Sequence, residues 1–162
     1  MPNAPRSTSG AVAALAVFTI CAVATARAET ALSGLSGSWT GGGQIRLADG
    51  RSERLSCRAS YNPRDGGNGL GMSIRCASQS YKIELRSSLI LAGGRVSGTR
   101  EERSFNAGGV VSGTSATGAL RLSFSGTMGG SISVSYGGSS QQVSIKTSGS
   151  ELSSISLSLK RG

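Results

Sequence analysis

Apolar residues in the second half of the chain alternate with polar residues at a strict period of two. Leu120, Leu122 and Phe124 are separated by single Arg or Ser residues, and the same rhythm recurs up to the C-terminus. Because successive strand side chains point to opposite faces, this alternation predicts β-strands with one buried and one solvated face. The later apolar positions in the pattern are Ile132, Val134, Tyr136, Val143, Ile145, Ile155, Leu157 and Leu159.

Turn residues divide the chain after residue 28 into ten short runs, from Ser38–Leu47 to Leu152–Lys160. The joints are short and rich in Gly, Asn, Asp and Ser, which favours antiparallel neighbours over crossover connections. The sixth run, Val110–Gly113, is the shortest of the ten. We predict an all-β domain that forms a single antiparallel up-and-down meander barrel of about 8 to 10 strands, with a β-sandwich as the alternative.

The first 28 residues have the features of a secretory signal peptide. Arg6 supplies the positive charge, residues 11–24 form an apolar run, and Ala26-Arg27-Ala28 is a small-x-small cleavage site. The apolar run is shorter than the roughly twenty residues that span a bilayer. We therefore predict cleavage after Ala28, a periplasmic or secreted protein that does not span the membrane, and one barrel domain over residues 29–162.

Two cysteines, Cys57 and Cys76, follow the predicted cleavage site. The segment between them is rich in Gly, Asn, Asp and Pro, and a hairpin folded about Gly66 and Gly67 sets Cys57 directly opposite Cys76. The same register pairs Ala59 with Ile74 and Tyr61 with Met72, so the apolar faces of both strands match. An even number of cysteines in an oxidising compartment and this opposition predict a disulfide bond.

The charge balance is strongly basic. The chain has 17 Lys and Arg against 8 Asp and Glu; with two of the basic residues in the predicted leader, the mature chain keeps a net charge of +7. The charges are spread singly along the predicted strands. This pattern indicates weak affinity for polyanions and no specific recognition of nucleic acid.

The residue types that usually carry catalysis are scarce. The chain contains no His, which removes the commonest general base and the commonest zinc ligand. Glu101 and Glu102 are neighbours on one predicted strand and face opposite ways, so they are poorly placed to act as a catalytic pair. The Gly-Gly pairs lack the Lys-Ser/Thr and the helix of a phosphate-binding loop. We expect no enzymatic activity, no catalytic residues, no cofactor and no metal.

Both ends of the predicted barrel carry a recognisable pattern. Gly37-Ser38-Trp39 opens the first strand, and Lys160-Arg161 closes the last. This resembles the calycin superfamily of lipocalins, fatty-acid-binding proteins and their bacterial relatives. The resemblance implies that a basic side chain, either Lys160 or Arg161, packs over Trp39 where the barrel closes. It also implies a ligand-binding module for a small apolar or amphipathic molecule.

The same features are similar to bacterial inhibitors of serralysin-type metalloproteases, which are exported Gly-x-Trp barrels with one disulfide. That resemblance implies an N-terminal arm that enters the cleft of a secreted protease. The arm would consist of Glu29, Thr30, Ala31, Leu32 and Ser33. A periplasmic metalloprotease inhibitor is therefore the first alternative function, and a cationic structural protein of the cell envelope is the second.

Arg100 and Arg103 lie in the only stretch where we expect the alternation to fail. One interpretation is a ligand gate or an anion contact, because an arginine inside a barrel can bind a carboxylate. The other interpretation is a frayed and solvated hairpin. We expect the protein to be a monomer.

Overall fold

Ten antiparallel strands in the described part of the chain close into one barrel, in which each strand pairs with its sequence neighbours and the last pairs with the first. The computed structural model describes Met1 and residues 32–162. The predicted meander barrel is confirmed, and the β-sandwich alternative is wrong. The strands are β1 Gly37–Leu47, β2 Ser52–Arg64, β3 Gly69–Ala77, β4 Lys82–Ala92, β5 Arg95–Glu102, β6 Ala107–Ala116, β7 Ala119–Gly126, β8 Gly129–Gly137, β9 Ser140–Ser148 and β10 Leu152–Arg161.

The period-two pattern determines which side of the sheet faces inward. In β8, Ile132 and Val134 are buried, whereas Ser133 between them and Ser135 after them are exposed. The same alternation continues through the neighbouring strands, so that one apolar core fills the barrel. Full burial of each Val, Leu or Ile side chain favours the closed barrel by about 1.5–3 kcal/mol.

The hairpin of β2 and β3 has the predicted register. Cys57 pairs with Cys76, Ala59 with Ile74, and Tyr61 with Met72. Cys57 and Cys76 form a disulfide bond across a sequence separation of 19 residues. Closing a loop of this length stabilises the fold by about 3 kcal/mol in the chain-entropy model.

The two ends of the barrel differ. The Trp39 end holds the start of β1, the end of β10 and a short 3₁₀-helix, η1, over Ser33–Leu35. Five turns lie at the opposite Glu102 end, after β1, β3, β5, β7 and β9. No helix within residues 32–162 is long and apolar enough to cross a membrane.

The sixth strand is longer than predicted, because β6 covers Ala107–Ala116 rather than Val110–Gly113. Two of its inward positions are Gly109 and Gly113, which give no hydrophobic signal. A Cβ on Gly109 would lie 1.7 Å from the carbonyl oxygen of Ser125 in β7. The close approach of the two strands therefore requires a glycine here.

Candidate functional site

Two charged residues of β5 face the barrel interior. Arg100 is 5% exposed and Glu102 is 6% exposed, and both continue the inward series that begins with Val96 and Gly98. The expectation that the alternation fails here is wrong. The period of two is intact, and its last two inward positions are charged instead of apolar. A solvated hairpin at Arg100 is therefore excluded.

The guanidinium of Arg100 lies against an aromatic ring. Its Cζ atom is 4.3 Å from the centroid of Phe124 in β7, and its Nη2 donates a hydrogen bond of 2.8 Å to the carbonyl oxygen of Met128. Its Nε is buried and has no hydrogen-bond partner. Burial lowers the pKa of Arg100 from its ordinary value, and the Glu102 carboxylate opposes this shift.

A second buried donor lies opposite Arg100. Ser87 of β4 pairs directly with Arg100 of β5, is 8% exposed, and has an Oγ without a hydrogen-bond partner. Side chains of directly paired strand residues lie on the same face at close range. Because buried polar groups are nearly always hydrogen-bonded, two adjacent donors without an acceptor form an incomplete polar site.

Glu102 has a different role, because its carboxylate is occupied by backbone groups. Its Oε1 accepts a hydrogen bond of 2.7 Å from the amide of Glu84, and its Oε2 accepts one of 2.6 Å from the amide of Phe105. The ion pairs of residues 32–162 do not include one between Glu102 and Arg100. Glu102 therefore holds the turn after β5 and leaves Arg100 without a direct counter-charge.

A small cavity lies beside Arg100 and Glu102 inside the barrel, and Ser87 is not among the residues that line it. Its volume is about 50 Å³, and Arg100 and Glu102 are the charged residues in an otherwise largely apolar wall. Partly buried Phe105 and Met128 belong to the same wall near the Glu102 end. Pockets for drug-sized ligands occupy roughly 300–1,000 Å³. The cavity therefore has room for a small chemical group and is far smaller than such a pocket.

Arg103 does not share the interior with Arg100. Its side chain is exposed, and its Nε lies 3.4 Å from the carboxylate of Glu101 on the outer surface. Of the two arginines singled out as candidate ligand contacts, the structure places only Arg100 inside the barrel.

At the Trp39 end of the barrel, Arg161 is the basic residue that packs over Trp39. Its Cζ lies 4.4 Å from the centroid of the Trp39 ring, and its guanidinium donates hydrogen bonds to the carbonyl oxygens of Gly34, at 2.6 Å, and Ser36. The indole Nε1 of Trp39 donates a hydrogen bond of 2.8 Å to the carbonyl oxygen of Leu35.

The other two residues of the predicted closing pattern have different positions. Lys160 is exposed and lies on the opposite face of β10 from Arg161. Gly37 has a φ of +104°, a backbone conformation that favours glycine.

The segment predicted as an inhibitor arm begins outside the described residues, where Glu29, Thr30 and Ala31 lie. Leu32 is 1% exposed and packs in the core, and Ser33 begins η1. Because Leu32 is packed in the core, it is not available to enter a protease cleft, and the structure gives the inhibitor hypothesis no support.

A buried polar pair lies near the Trp39 end of the barrel, where Tyr61 pairs with Gly37 and Gln141 pairs with Leu159. The Nε2 of Gln141 donates a hydrogen bond of 2.9 Å to the Tyr61 hydroxyl, and the Oε1 of Gln141 has no partner. Burial raises the pKa of Tyr61 to about 12, and the hydrogen bond with Gln141 opposes the shift. Neither this pair nor Ser87 was expected to be functional. The sequence signal that could have identified Tyr61, Gln141 and Ser87 is the period of two, which places each of them on the inward face of its strand.

Comparisons with known proteins support the fold alone. No family model and no curated protein matches the chain. The crystal structure of Rv2717c from M. tuberculosis superimposes with a TM-score of 0.63 at 20% identity, covering 82% of this chain and 95% of that one. The S-type phycobiliprotein lyase CPES from Guillardia theta gives a TM-score of 0.54 at 16% identity, covering 80% and 89%. The chain therefore has the fold of a calycin-like antiparallel β-barrel.

Proposed function

We propose that the barrel binds a small amphipathic carboxylate, with the carboxylate at Arg100 and the aliphatic part against the apolar wall. The observation that supports this proposal most directly is that the Nε of Arg100 is buried and has no hydrogen-bond partner. A desolvated guanidinium is costly unless it is paired and hydrogen-bonded. A carboxylate supplies both the opposite charge and the missing acceptors, and it can also accept from the Ser87 hydroxyl.

The geometry also limits the size of the ligand. A cavity of about 50 Å³ accommodates a head group and little more. A longer tail requires Phe105 and Met128 to move outward, and both are only partly buried at the core edge. Short-chain fatty acids therefore match this site better than the long ligands that larger barrels enclose. One structural neighbour is named a phycobiliprotein lyase, which is compatible with a barrel that holds a ligand.

We further propose that the protein works after export, with residues 1–28 as a signal peptide that is cleaved after Ala28. The Cys57–Cys76 disulfide supports this proposal, because such bonds persist mainly in oxidising compartments. Mass spectrometry of the mature protein tests it, since an N-terminus at Glu29 is expected. A secreted form that retains Met1 would contradict it.

Calorimetric titration with hexanoate and with 1-hexanol tests the proposed ligand. Hexanoate is expected to bind and hexanol to bind at least about tenfold more weakly, because only the carboxylate pairs with Arg100. Arg100→Met should abolish hexanoate binding. The matched control Arg103→Met removes an exposed arginine from the same chain segment and should leave binding unchanged. Equal binding of both compounds, or equal loss in both variants, would refute the proposal.

A further inference from the structure

The outer face of β1 to β4 carries cations at paired positions. In one continuous row across the strands, Thr40 pairs with Arg58, Arg58 with Arg75, and Arg75 with Glu84. Lys160 of β10 extends the row on the other side, where it pairs with Thr40. The residues share one face of the sheet, so their charges act on the same volume of solvent.

Arg58 and Arg75 oppose each other directly across β2 and β3. Like charges at such a position destabilise a sheet. Arg75 is compensated by Glu84, whose Oε1 lies 3.2 Å from its Nη2. Arg58 is exposed and has no ion pair among residues 32–162. An anionic partner outside the barrel would offset this repulsion and pair with Arg58.

These cations border a groove of about 670 Å³ on the outer surface. Its charged lining residues are Arg58, Arg75, Lys82 and Glu84. Hydroxyl groups of Thr40, Ser56 and Ser73 also line it, together with apolar residues such as Ala77 and Ile83. Lys82 is exposed and, like Arg58, has no ion pair in the described part of the chain. The groove therefore combines positive charge and short hydrogen-bonding side chains with apolar surface.

We propose that this groove binds an acidic polysaccharide, independently of the ligand inside the barrel. Uronic acid units present carboxylates to the Arg and Lys side chains and hydroxyl groups to the Ser and Thr side chains. A single-stranded nucleic acid would require exposed aromatic rings for stacking, and the aromatic residue that lines the groove, Trp39, is 0% exposed. A membrane surface would require exposed apolar side chains; Ile90 and Val110 are large and exposed but lie outside the groove.

Binding of the full mature protein to immobilised polygalacturonate tests this proposal. The wild type should bind at low ionic strength, and binding should weaken steeply as salt is added. The double variant Arg58→Thr with Lys82→Thr should bind on the order of tenfold more weakly. The matched control, Arg121→Thr with Lys146→Thr, removes two exposed cations from the outer faces of β7 and β9 and should change affinity less than about twofold.

Three outcomes would overturn the proposal. Equal weakening by both double variants would show that only net charge matters. If the wild type bound neutral dextran as tightly as polygalacturonate, the carboxylates would not be what the groove recognises. Tighter binding to phosphatidylglycerol vesicles or to oligothymidylate would assign the groove to a membrane or to nucleic acid. Thermal melting of each variant verifies folding. If the double variant Arg58→Thr with Lys82→Thr melts at a lower temperature than the wild type, the double variant Arg58→Gln with Lys82→Gln is used in its place.

Discussion

The guanidinium of Arg161 lies 4.4 Å from the ring centroid of Trp39, so the last strand of the barrel is tied to the first. The same guanidinium donates hydrogen bonds to the carbonyl oxygen of Gly34, inside η1, and to that of Ser36, directly after η1. A single side chain therefore connects β10, β1 and the segment before β1. This contact closes the Trp39 end of the barrel.

Removal of the Arg161 guanidinium should destabilise the barrel. Arg161→Ala removes a cation–π contact and two hydrogen bonds that are exposed to solvent, so the free energy of unfolding should fall by about 1 kcal/mol. Lys160→Ala removes an exposed cation next to it and should change the free energy by less than about 0.5 kcal/mol. Urea denaturation monitored by Trp39 fluorescence measures both. Equal effects would show that Arg161 contributes charge alone.

The disulfide should contribute more to stability than this contact. Cys57→Ala with Cys76→Ala is expected to lower the free energy of unfolding by about 3 kcal/mol, because the unfolded chain regains the entropy of the closed loop. Denaturant unfolding of the oxidised protein and of the double variant gives the difference. Free thiols detected in the unfolded, unreduced wild type would contradict the bond itself.

The two buried charges of β5 should respond in opposite ways to neutralisation. Glu102→Gln replaces a carboxylate that accepts from the amides of Glu84 and Phe105, and it should cost about 1.5–3 kcal/mol. Arg100→Met removes a desolvated cation from an apolar wall, and it should leave stability unchanged or raise it. Thermal unfolding of both variants tests the contrast. A large loss of stability in Arg100→Met would indicate a structural role for Arg100 rather than a ligand contact.

The buried Tyr61 phenol should make the stability of the protein depend on pH in the alkaline range. Its pKa is raised by burial to about 12, whereas an unfolded tyrosine titrates near 10. Above pH 10 the unfolded state loses the phenolic proton first, so the stability from this group is fully present below pH 10 and is lost as pH rises toward 12. Denaturation at pH 9 to 11.5 measures the loss. Tyr61→Phe should flatten this decline, and an unchanged decline would assign it to other groups.

Most of the fold could be predicted from the sequence because the hydrophobic alternation and the turn residues agree with each other. The register of Cys57 against Cys76 follows from the centre of one turn and from the matching apolar faces. The same parity also distinguishes Arg161 from Lys160, since Arg161 shares the inward phase of Leu157 and Leu159. The parity of β10 therefore separates the two candidate residues, Lys160 and Arg161, on the sequence alone.

The candidate site was harder to predict, because its residues do not look like core residues. Arg100 and Glu102 occupy inward positions of β5, but a charged side chain normally indicates a solvated face. Ser87 has no distinguishing feature among many serines in the chain; only its pairing with Arg100 makes it part of a site. The size of the cavity depends on how far the walls collapse, and no residue pattern reports that distance.

The Nε–H resonance of Arg100 in the ¹H–¹⁵N NMR spectrum gives the most direct test of carboxylate binding inside the barrel. Arg100→Lys identifies this resonance by its disappearance. Addition of hexanoate should shift it strongly, because a charge-assisted hydrogen bond forms at an atom that has no partner in the protein. The Nε–H of Arg161 serves as the internal reference and should stay in place. An Arg100 resonance that does not move with hexanoate, or that moves equally with hexanol, would contradict the proposed function.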